Sequence, residues 1–364
     1  MDLPPDFNPD RLVLREASYE EKIQSWRNNS ASWRGQLTVN QYITQQTING
    51  NQELTGNGRI RYWIYTDGKK IYTSAETLQK PAVVCTRGGE TAKGWTYGVA
   101  AVFTVPEYRG RGCASSMMRK LAKWLDSHDV PCQFTVLWSA VGGFYGQFGW
   151  STFATREALI PATAIPENTK TISLSSEQLR PLCEMDVDKI VQKCQNSAQT
   201  SRYEACVACI PTFAQAKWHF GSEEYIASQL FTSPGRIPNM KGAANLERTM
   251  WCYWLHDFNA NKLIILRFVF DEEACGEEYC FLQSIGSILQ AARREASIWN
   301  LKHVSIWDPS PRVIEAGENV LDVRLDISEE IQGNIPCLRW KNDKWGDGVV
   351  REVSWQLREM YPWC

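Results

Sequence analysis

Val99-Ala100-Ala101-Val102-Phe103-Thr104-Val105, then Arg109-Gly110-Arg111-Gly112-Cys113-Ala114, then Phe134-Thr135-Val136-Leu137-Trp138: these three segments read as a strand, a turn into a helix and a second strand. The first segment is an apolar run, and the last is almost continuously apolar, as a strand covered on both faces should be. Between them Ala114, Met117, Met118, Leu121, Ala122 and Leu125 recur at helical spacing, which predicts a helix burying one face on a sheet. The Arg/Gly turn that joins strand to helix matters most. Such a junction presents unpaired backbone N–H groups at the positive end of a helix, where a phosphate can be held.

Outward from this core, Gly142 to Phe148 reads as a short helix closed by Gly149, and Trp150 to Ile160 as a further strand. Pro161 and Pro166 bracket a polar linker. Upstream, Leu12-Val13-Leu14-Arg15 predicts a short strand, with a polar helical stretch to about Trp26. Asn28 to Asn57, rich in Asn, Gln, Ser and Thr, reads as a long surface excursion, followed by strands near Ile60–Tyr65 and Ala82–Thr86. Downstream, helical segments are expected at Ser176–Cys194 and Glu223–Phe231. Thr249–Leu255 and Leu263–Phe270 read as a hairpin turning through Asn259-Ala260-Asn261. A helix carrying Ile285, Ile288, Leu289, Ala292, Ala296 and Trp299 precedes the strand His303–Trp307. Strand, helix, strand thus occurs again, without an Arg/Gly turn, as in a degenerate copy of the first fold.

The 364 residues hold 39 Lys and Arg against 41 Asp and Glu, a formal net charge of −2. That lacks the basic footprint of a nucleic-acid binder. The densest apolar run, Leu263 to Phe270, contains Arg267 and is too short to span a bilayer. Met1-Asp2-Leu3-Pro4-Pro5-Asp6 is acidic and proline-rich rather than a secretory leader. A cytoplasmic protein with no membrane or nucleic-acid partner is the expectation; the oligomeric state stays open. Only Cys206 and Cys209, of twelve cysteines, have CxxC spacing, and His128, His219, His256 and His303 lie far apart. No metal site is expected, and reduced, mostly buried thiols are. The sixteen tryptophans read mainly as core, with some free to line an apolar pocket.

Gly110 and Gly112 begin a GxG, but Ser115 stands where a dinucleotide fingerprint needs its third glycine. The next strand ends Leu137-Trp138-Ser139-Ala140, without the acidic residue that would hold a ribose. No Gly-Lys-Ser/Thr follows, which removes a P-loop.

The spacing Arg109-x-x-Gly112-x-Ala114 resembles the Gln/Arg-x-x-Gly-x-Gly/Ala signature of the GNAT superfamily of acyl-CoA N-acyltransferases. Phe144-Tyr145-Gly146-Gln147-Phe148-Gly149-Trp150 is similar to the segment that ends the core of that superfamily. Further matches run through both halves. They include Trp218-His219-Phe220, Leu266-Arg267, Trp307-Asp308-Pro309-Ser310, Leu338-Arg339-Trp340 and Tyr361-Pro362-Trp363-Cys364. With them the whole chain resembles the fungal lysine N6-acetyltransferase family of lysine catabolism. Two places depart from it: Ala140 stands where an acidic residue is expected, and Arg358-Glu359 replaces a Glu-Lys-type pair.

The resemblance implies an α+β fold (α/β-like): a GNAT mixed β-sheet flanked by helices at 1–160, a linker at 161–178, and a GNAT-like domain at 179–364 completing the acceptor site. It implies acetyl-CoA as co-substrate, held by Phe103, Thr104, Val105, Arg109, Gly110, Arg111, Gly112, Cys113 and Ala114, the amides near Phe103–Val105 polarising the thioester carbonyl. Tyr145 would protonate the departing thiolate. Trp138, Ser139, Trp218 and His219 are the candidate acceptor residues. The implied reaction acetylates the amine of a small amino-acid-like acceptor, L-lysine first. Two other readings stand beside it: an acyltransferase acting on a secondary-metabolite intermediate, and a catalytically inactive CoA-binding scaffold. No general base is visible, since Val99–Val105 lacks Asp and Glu, and Glu90 and Glu107 read as surface charges. The apolar Trp363-Cys364 ending suggests the α-carboxylate of Cys364, folded back, for that role.

Overall fold

The computed structural model describes residues 7–127, 129–166, 169–231, 236–271, 278–328, 334–341 and 352–364. In the first half, strands β1 (Val13–Glu16), β2 (Ile60–Thr66), β3 (Ile71–Thr86), β4 (Thr91–Thr104), β5 (Phe134–Ser139) and β6 (Ser151–Thr152) accompany helices α1 (Tyr19–Trp33), α2 (Val39–Gly50) and α3 (Cys113–Asp126). The second half runs β7 (Glu157–Pro161), β8 (Thr171–Ser175), α4 (Ser176–Thr200), β9 (Ala205–Cys209), α5 (Phe213–Leu230), β10 (Met240–Asn245), β11 (Trp251–Asp257) and β12 (Lys262–Val269). It closes with α6 (Glu278–Ile298), β13 (His303–Trp307), α7 (Pro311–Asn319), β14 (Asp326–Ser328), β15 (Ile335–Trp340) and β16 (Val353–Trp355).

Two mixed sheets result. The first has the order β1-β2-β3-β4-β5-β15-β6, with β9 and β16 added along the far half of β3. The second has the order β14-β7-β13-β12-β11-β10-β8. Each sheet is completed by a strand from the other half of the chain. β15 inserts antiparallel beside β5, from Ile335 opposite Ser139 to Trp340 opposite Phe134. In return β7 leaves the first sheet and pairs with β13 and β14. The single strand expected from Trp150 to Ile160 is therefore two strands in two sheets. The stretch read as linker, 161–178, holds β8 and the start of α4.

The halves repeat one plan. β4 and β5 are parallel and joined through α3; β12 and β13 are parallel and joined through α6. Met117, Met118 and Leu121 of α3 are wholly covered against the first sheet, burial that stabilises the contact by about 2 kcal/mol per side chain. Ile285, Ile288, Leu289 and Ala292 of α6 do the same on the second. Between the sheets lies a shared core of Phe134, Val136, Phe213, Phe220, Tyr253 and Tyr361 among others.

The polar segment expected to wander over the surface is mostly helix. It holds the end of α1, which begins in the stretch already read as helical, and all of α2; capping boxes start both, Ser18 with Glu21 and Thr38 with Gln41. Their apolar face is narrow: Trp26, Leu37 and Tyr42 are buried together, against Tyr62 and, from α5, Tyr225 and Ile226. Polar groups finish the contact, as where the Tyr42 hydroxyl bonds Asn29 Oδ1 at 3.1 Å.

Candidate active site

The parallel pairing of β4 with β5 is short. It joins Thr96–Gly98 to Phe134–Val136 and then stops. Beyond Gly98 the strands splay. A bulge helps to part them: Ala101 has φ 50°, and the register with β3 slips between Ser74 and Glu76. An opening between two strand edges leaves backbone N–H and C=O groups free to pair with an extended amide-bearing ligand.

At the wide end of this opening sits the Arg/Gly turn. Gly110 and Gly112 adopt φ 71° and 77°, the left-handed region that favours glycine. Arg109, Gly110, Arg111 and Gly112 are all exposed. Gly112 caps α3 without a side-chain bond, and the helix's first backbone bond runs from Ser116 N–H to Gly112 C=O. The N–H groups of Cys113, Ala114 and Ser115 therefore have no partner within the helix. These groups, two arginines and the helix dipole suit a diphosphate. Cys113 itself points inward, its thiol pushed up by burial, so only its backbone is available.

Phe103, Thr104 and Val105 are not equivalent. Val105 gives its N–H to the Tyr72 carbonyl at 3.1 Å. By strand alternation Thr104 then faces the open side. Its carbonyl accepts from Arg109 Nε at 3.1 Å, which ties the turn to the strand end. Phe103 lies under the Arg109 guanidinium at 5.3 Å and against Trp33 at 5.7 Å.

Tyr145 lies in the short 3-10 helix Gly142–Phe148, which follows β5 and ends on Gly149 at φ 93°. Its ring packs edge-on to Phe144 and Trp150. Burial pushes the phenol up to about 12, with a smaller push from Cys337. The strand donated from the second half holds this segment in place. Arg339 of β15 donates from Nε to the Phe148 carbonyl at 2.9 Å, pairs both guanidinium nitrogens with Asp126, and stacks on Trp150.

The four candidate acceptor residues take different places. Trp138 faces the core between the sheets, with the Lys80 ammonium 5.9 Å above its ring. Ser139 builds the following turn, bonding Gly142 C=O and Val141 N–H. Trp218 joins α5 to the end of α2 by donating to the Asn49 carbonyl at 3.1 Å. His219 is buried and held neutral, its pKa lowered to about 4 by burial. Its Nε2 carries the proton, because the group it meets at 2.9 Å is the carbonyl of Tyr361.

That bond belongs to a docked tail. Lys80, buried on β3, donates to the Pro362 carbonyl, and the Cys364 thiol rests on β4 at Gly98, where a Cβ would lie 2.7 Å from the sulfur. The tail thus reaches the apex of the opening. In the second sheet, β12 and β13 also part, after Ile265 and Ile306. There the same tail fills the space: Tyr361 N–H donates to Leu266 C=O, and Glu359 accepts from Phe268 N–H and Arg267.

Glu76 and Lys80 escaped the sequence reading, which placed no strand over Ile71–Lys80. The available signal was a lone carboxylate and a lone ammonium at strand spacing in Ser74-Ala75-Glu76-Thr77-Leu78-Gln79-Lys80. Glu76 pairs across to Ala100 of β4, beside the bulge. Trp26 Nε1 donates to its Oε1 at 3.0 Å. Among the described residues no group of metal-ligating side chains is assembled. Cys206 and Cys209 lie three apart on β9, which sends them into different cores.

Residues 15–153 match the family model of the GNAT acetyltransferase domain, and residues 158–364 match that of the LYC1 GNAT-like C-terminal domain. The chain belongs to the GNAT N-acetyltransferases. A lysine acetyltransferase of Yarrowia lipolytica is 24% identical over 302 residues, 70% of this chain and 75% of its own. An uncharacterized protein of Saccharomyces cerevisiae is 21% identical over 350 residues, 83% of this chain and 85% of its own. Among solved structures, a GCN5-related N-acetyltransferase from Anabaena variabilis shares the fold with a TM-score of 0.53 at 14% identity, covering 91% of this chain and 73% of its own. A probable N-acyltransferase from Enterococcus faecalis does so at 0.51 and 12%, covering 90% and 72%. This GNAT acetyltransferase is thus an α+β protein with two GNAT-like domains. Among its described residues no helix is long and apolar enough to cross a membrane.

Proposed function

We propose that this enzyme moves an acetyl group from acetyl-CoA to the amine of a small amino-acid-like acceptor, with L-lysine at N6 as the acceptor. One observation carries the reading: the exposed turn Arg109–Gly112 and the free N–H groups of α3 lie at the wide end of an opening whose apex holds Gly98, Lys80 and Cys364. When bound there, acetyl-CoA supplies the acyl thioester. The N–H groups of Cys113 to Ser115, with Arg109 and Arg111, would hold its diphosphate. The free edges of β4 and β5 would pair with its amides.

The chain's own groups then divide the work. Thr104 N–H faces the opening and would pair with an amide of the cofactor's arm. The thioester would lie further in, beside the bulge at Ala101, where a β4 N–H freed from the β3 register would donate to its carbonyl oxygen as charge builds on it. The amine forms the new C–N bond as the C–S bond breaks. Tyr145, protonated throughout the neutral range, gives its proton to the departing sulfur. The proton shed by the attacking nitrogen would pass to the α-carboxylate of Cys364. Trp138 and His219 frame the apex through Lys80 and Tyr361.

The lysine acceptor is supported by the name of the Yarrowia lipolytica relative, at 24% identity. A thiol-release assay with acetyl-CoA against a panel of amines tests the proposal. Turnover with L-lysine supports it. Turnover only with larger apolar amines would favour a specialised-metabolite substrate, and CoA binding without turnover would favour a scaffold.

A further inference from the structure

Between α1 and the face of β3 and β4 lies a narrow recess, lined by Ser25, Trp26, Asn29, Tyr62, Glu76 and Ala101 among others. Its place is significant. Ala101 is the bulge residue at which β4 breaks from its register, so the recess meets the opening where the thioester would lie. Its one carboxylate is half-buried, with Oε1 held by the Trp26 indole.

We infer that Glu76 is the carboxylate that receives the acceptor's primary ammonium group, in a subsite bounded by α1, β2, β3 and the bulge of β4. The inference rests on the proposed acetyl transfer and names the acceptor class: an aliphatic cation rather than an uncharged aromatic amine.

Three observations carry it. A carboxylate is a costly partner for one indole N–H in a confined recess, because a neutral amide would accept the same bond without desolvating a charge. The walls also favour cations. Lys22 shows this within the molecule, its ammonium lying 4.8 Å over the Tyr62 ring and 5.3 Å over that of Trp26. Finally, the groups facing Glu76 give it no ion pair within 4 Å among the described residues. They are Lys22 of α1, Tyr42 of α2 and Tyr62 of β2, and both phenols are raised by burial and then by Glu76 itself. Burial pushes the Glu76 carboxyl up to about 7, outweighing the Trp26 bond and Lys22. An arriving ammonium would restore the charged form.

The test uses the full chain with L-lysine and L-ornithine as probes, comparing wild type with Glu76→Gln and Glu76→Asp. Steady-state kinetics give KM for the amine, and calorimetry gives CoA affinity. Glu76→Gln is expected to raise the amine KM about tenfold or more while CoA affinity stays within about twofold; Glu76→Asp should lie between. Calorimetry of L-lysine binding with CoA present supplies a second readout. Wild-type affinity should weaken as pH falls through about 7, where Glu76 takes up its proton, and Glu76→Gln should be flat. An unchanged KM and an unchanged pH dependence in Glu76→Gln would overturn the inference. Absence of lysine and ornithine binding to the wild type would overturn it too. Failure of wild type to bind CoA would instead strike the acetyl-transfer reading.

Discussion

Tyr361 N–H donates to the Leu266 carbonyl at 3.1 Å, on the side of β12 that β13 leaves free. In the first half the equivalent side of β4 is open; in the second the protein's own chain occupies it. A crevice that could admit a ligand's amides here admits residues 359–361 and carries the chain on toward Gly98. One GNAT unit therefore presents an opening, and the other serves as the anchor of a segment that reaches it.

Arg267 is the strongest point of that anchor. Its guanidinium grips Asp186 through two bonds of 2.9 Å and Glu359 through one of 2.6 Å, all three side chains being buried or nearly so. Arg267→Met would strand two carboxylates. Loss on the order of 3–5 kcal/mol is expected, readable by urea unfolding. Turnover should fall more than CoA affinity, because a freed tail would carry Cys364, the proposed proton acceptor, away from Gly98.

Gly98 offers a gentler probe of the same segment. A methyl group there would lie 2.7 Å from the Cys364 sulfur and 3.4 Å from Lys80 Cε and Nζ. The end of the tail must shift to admit it. Gly98→Ala is expected to lower kcat while leaving the Arg/Gly turn, and hence CoA affinity by calorimetry, unchanged. Adding residues after Cys364 tests the carboxylate directly: a kcat equal to wild type would remove its proposed role.

Tyr145→Phe keeps the ring packing against Phe144 and Trp150 and removes only the hydroxyl. If the phenol protonates the leaving sulfur, kcat should drop about a hundredfold with CoA binding retained. Because burial holds the phenol up to about 12, wild-type activity should show no loss from its deprotonation below about pH 10.

The local part of the architecture was readable and the long-range part was not. β4, the Arg/Gly turn, α3 and β5 follow one another, so periodicity and turn chemistry sufficed. The exchange of β15 for β7 left no such mark, since Leu338 and Val136 are paired across some two hundred residues of chain, and either strand would fit either sheet by composition. The end of α1 beyond Trp26 and the whole of α2 misled for another reason: tertiary contact at Trp26, Leu37 and Tyr42 stabilises helices whose faces carry few apolar residues. The Arg/Gly turn was legible because its two glycines, both at left-handed φ, stand with two arginines at one strand-to-helix junction. Glu76 was not, because its significance lies in its place beside Ala101, a relation set by strand register.

Gly112 tests the turn itself. At φ 77° a Cβ is strained, and one built there meets Pro9 Cγ at 3.4 Å. Gly112→Ala is expected to cost about 1 kcal/mol of stability and to weaken CoA binding. Arg111→Ala, on an exposed side chain, should leave stability alone. It should weaken CoA binding most at low ionic strength, a difference calorimetry at two salt concentrations would show.

His219 links tail docking to pH. Buried and held at about 4 against an ordinary value of 6.5, it binds fewer protons in the folded than in the unfolded chain. Protonation therefore favours unfolding. The stability it contributes is complete above about pH 6.5 and is lost progressively as pH falls toward 4, some 3 kcal/mol in all. His219→Gln replaces the imidazole by an amide that can still donate toward the Tyr361 carbonyl but does not titrate. Urea midpoints measured from pH 7 to pH 4.5 should fall less steeply in this variant than in the wild type. Parallel slopes would mean that the acid sensitivity of the fold arises from other groups.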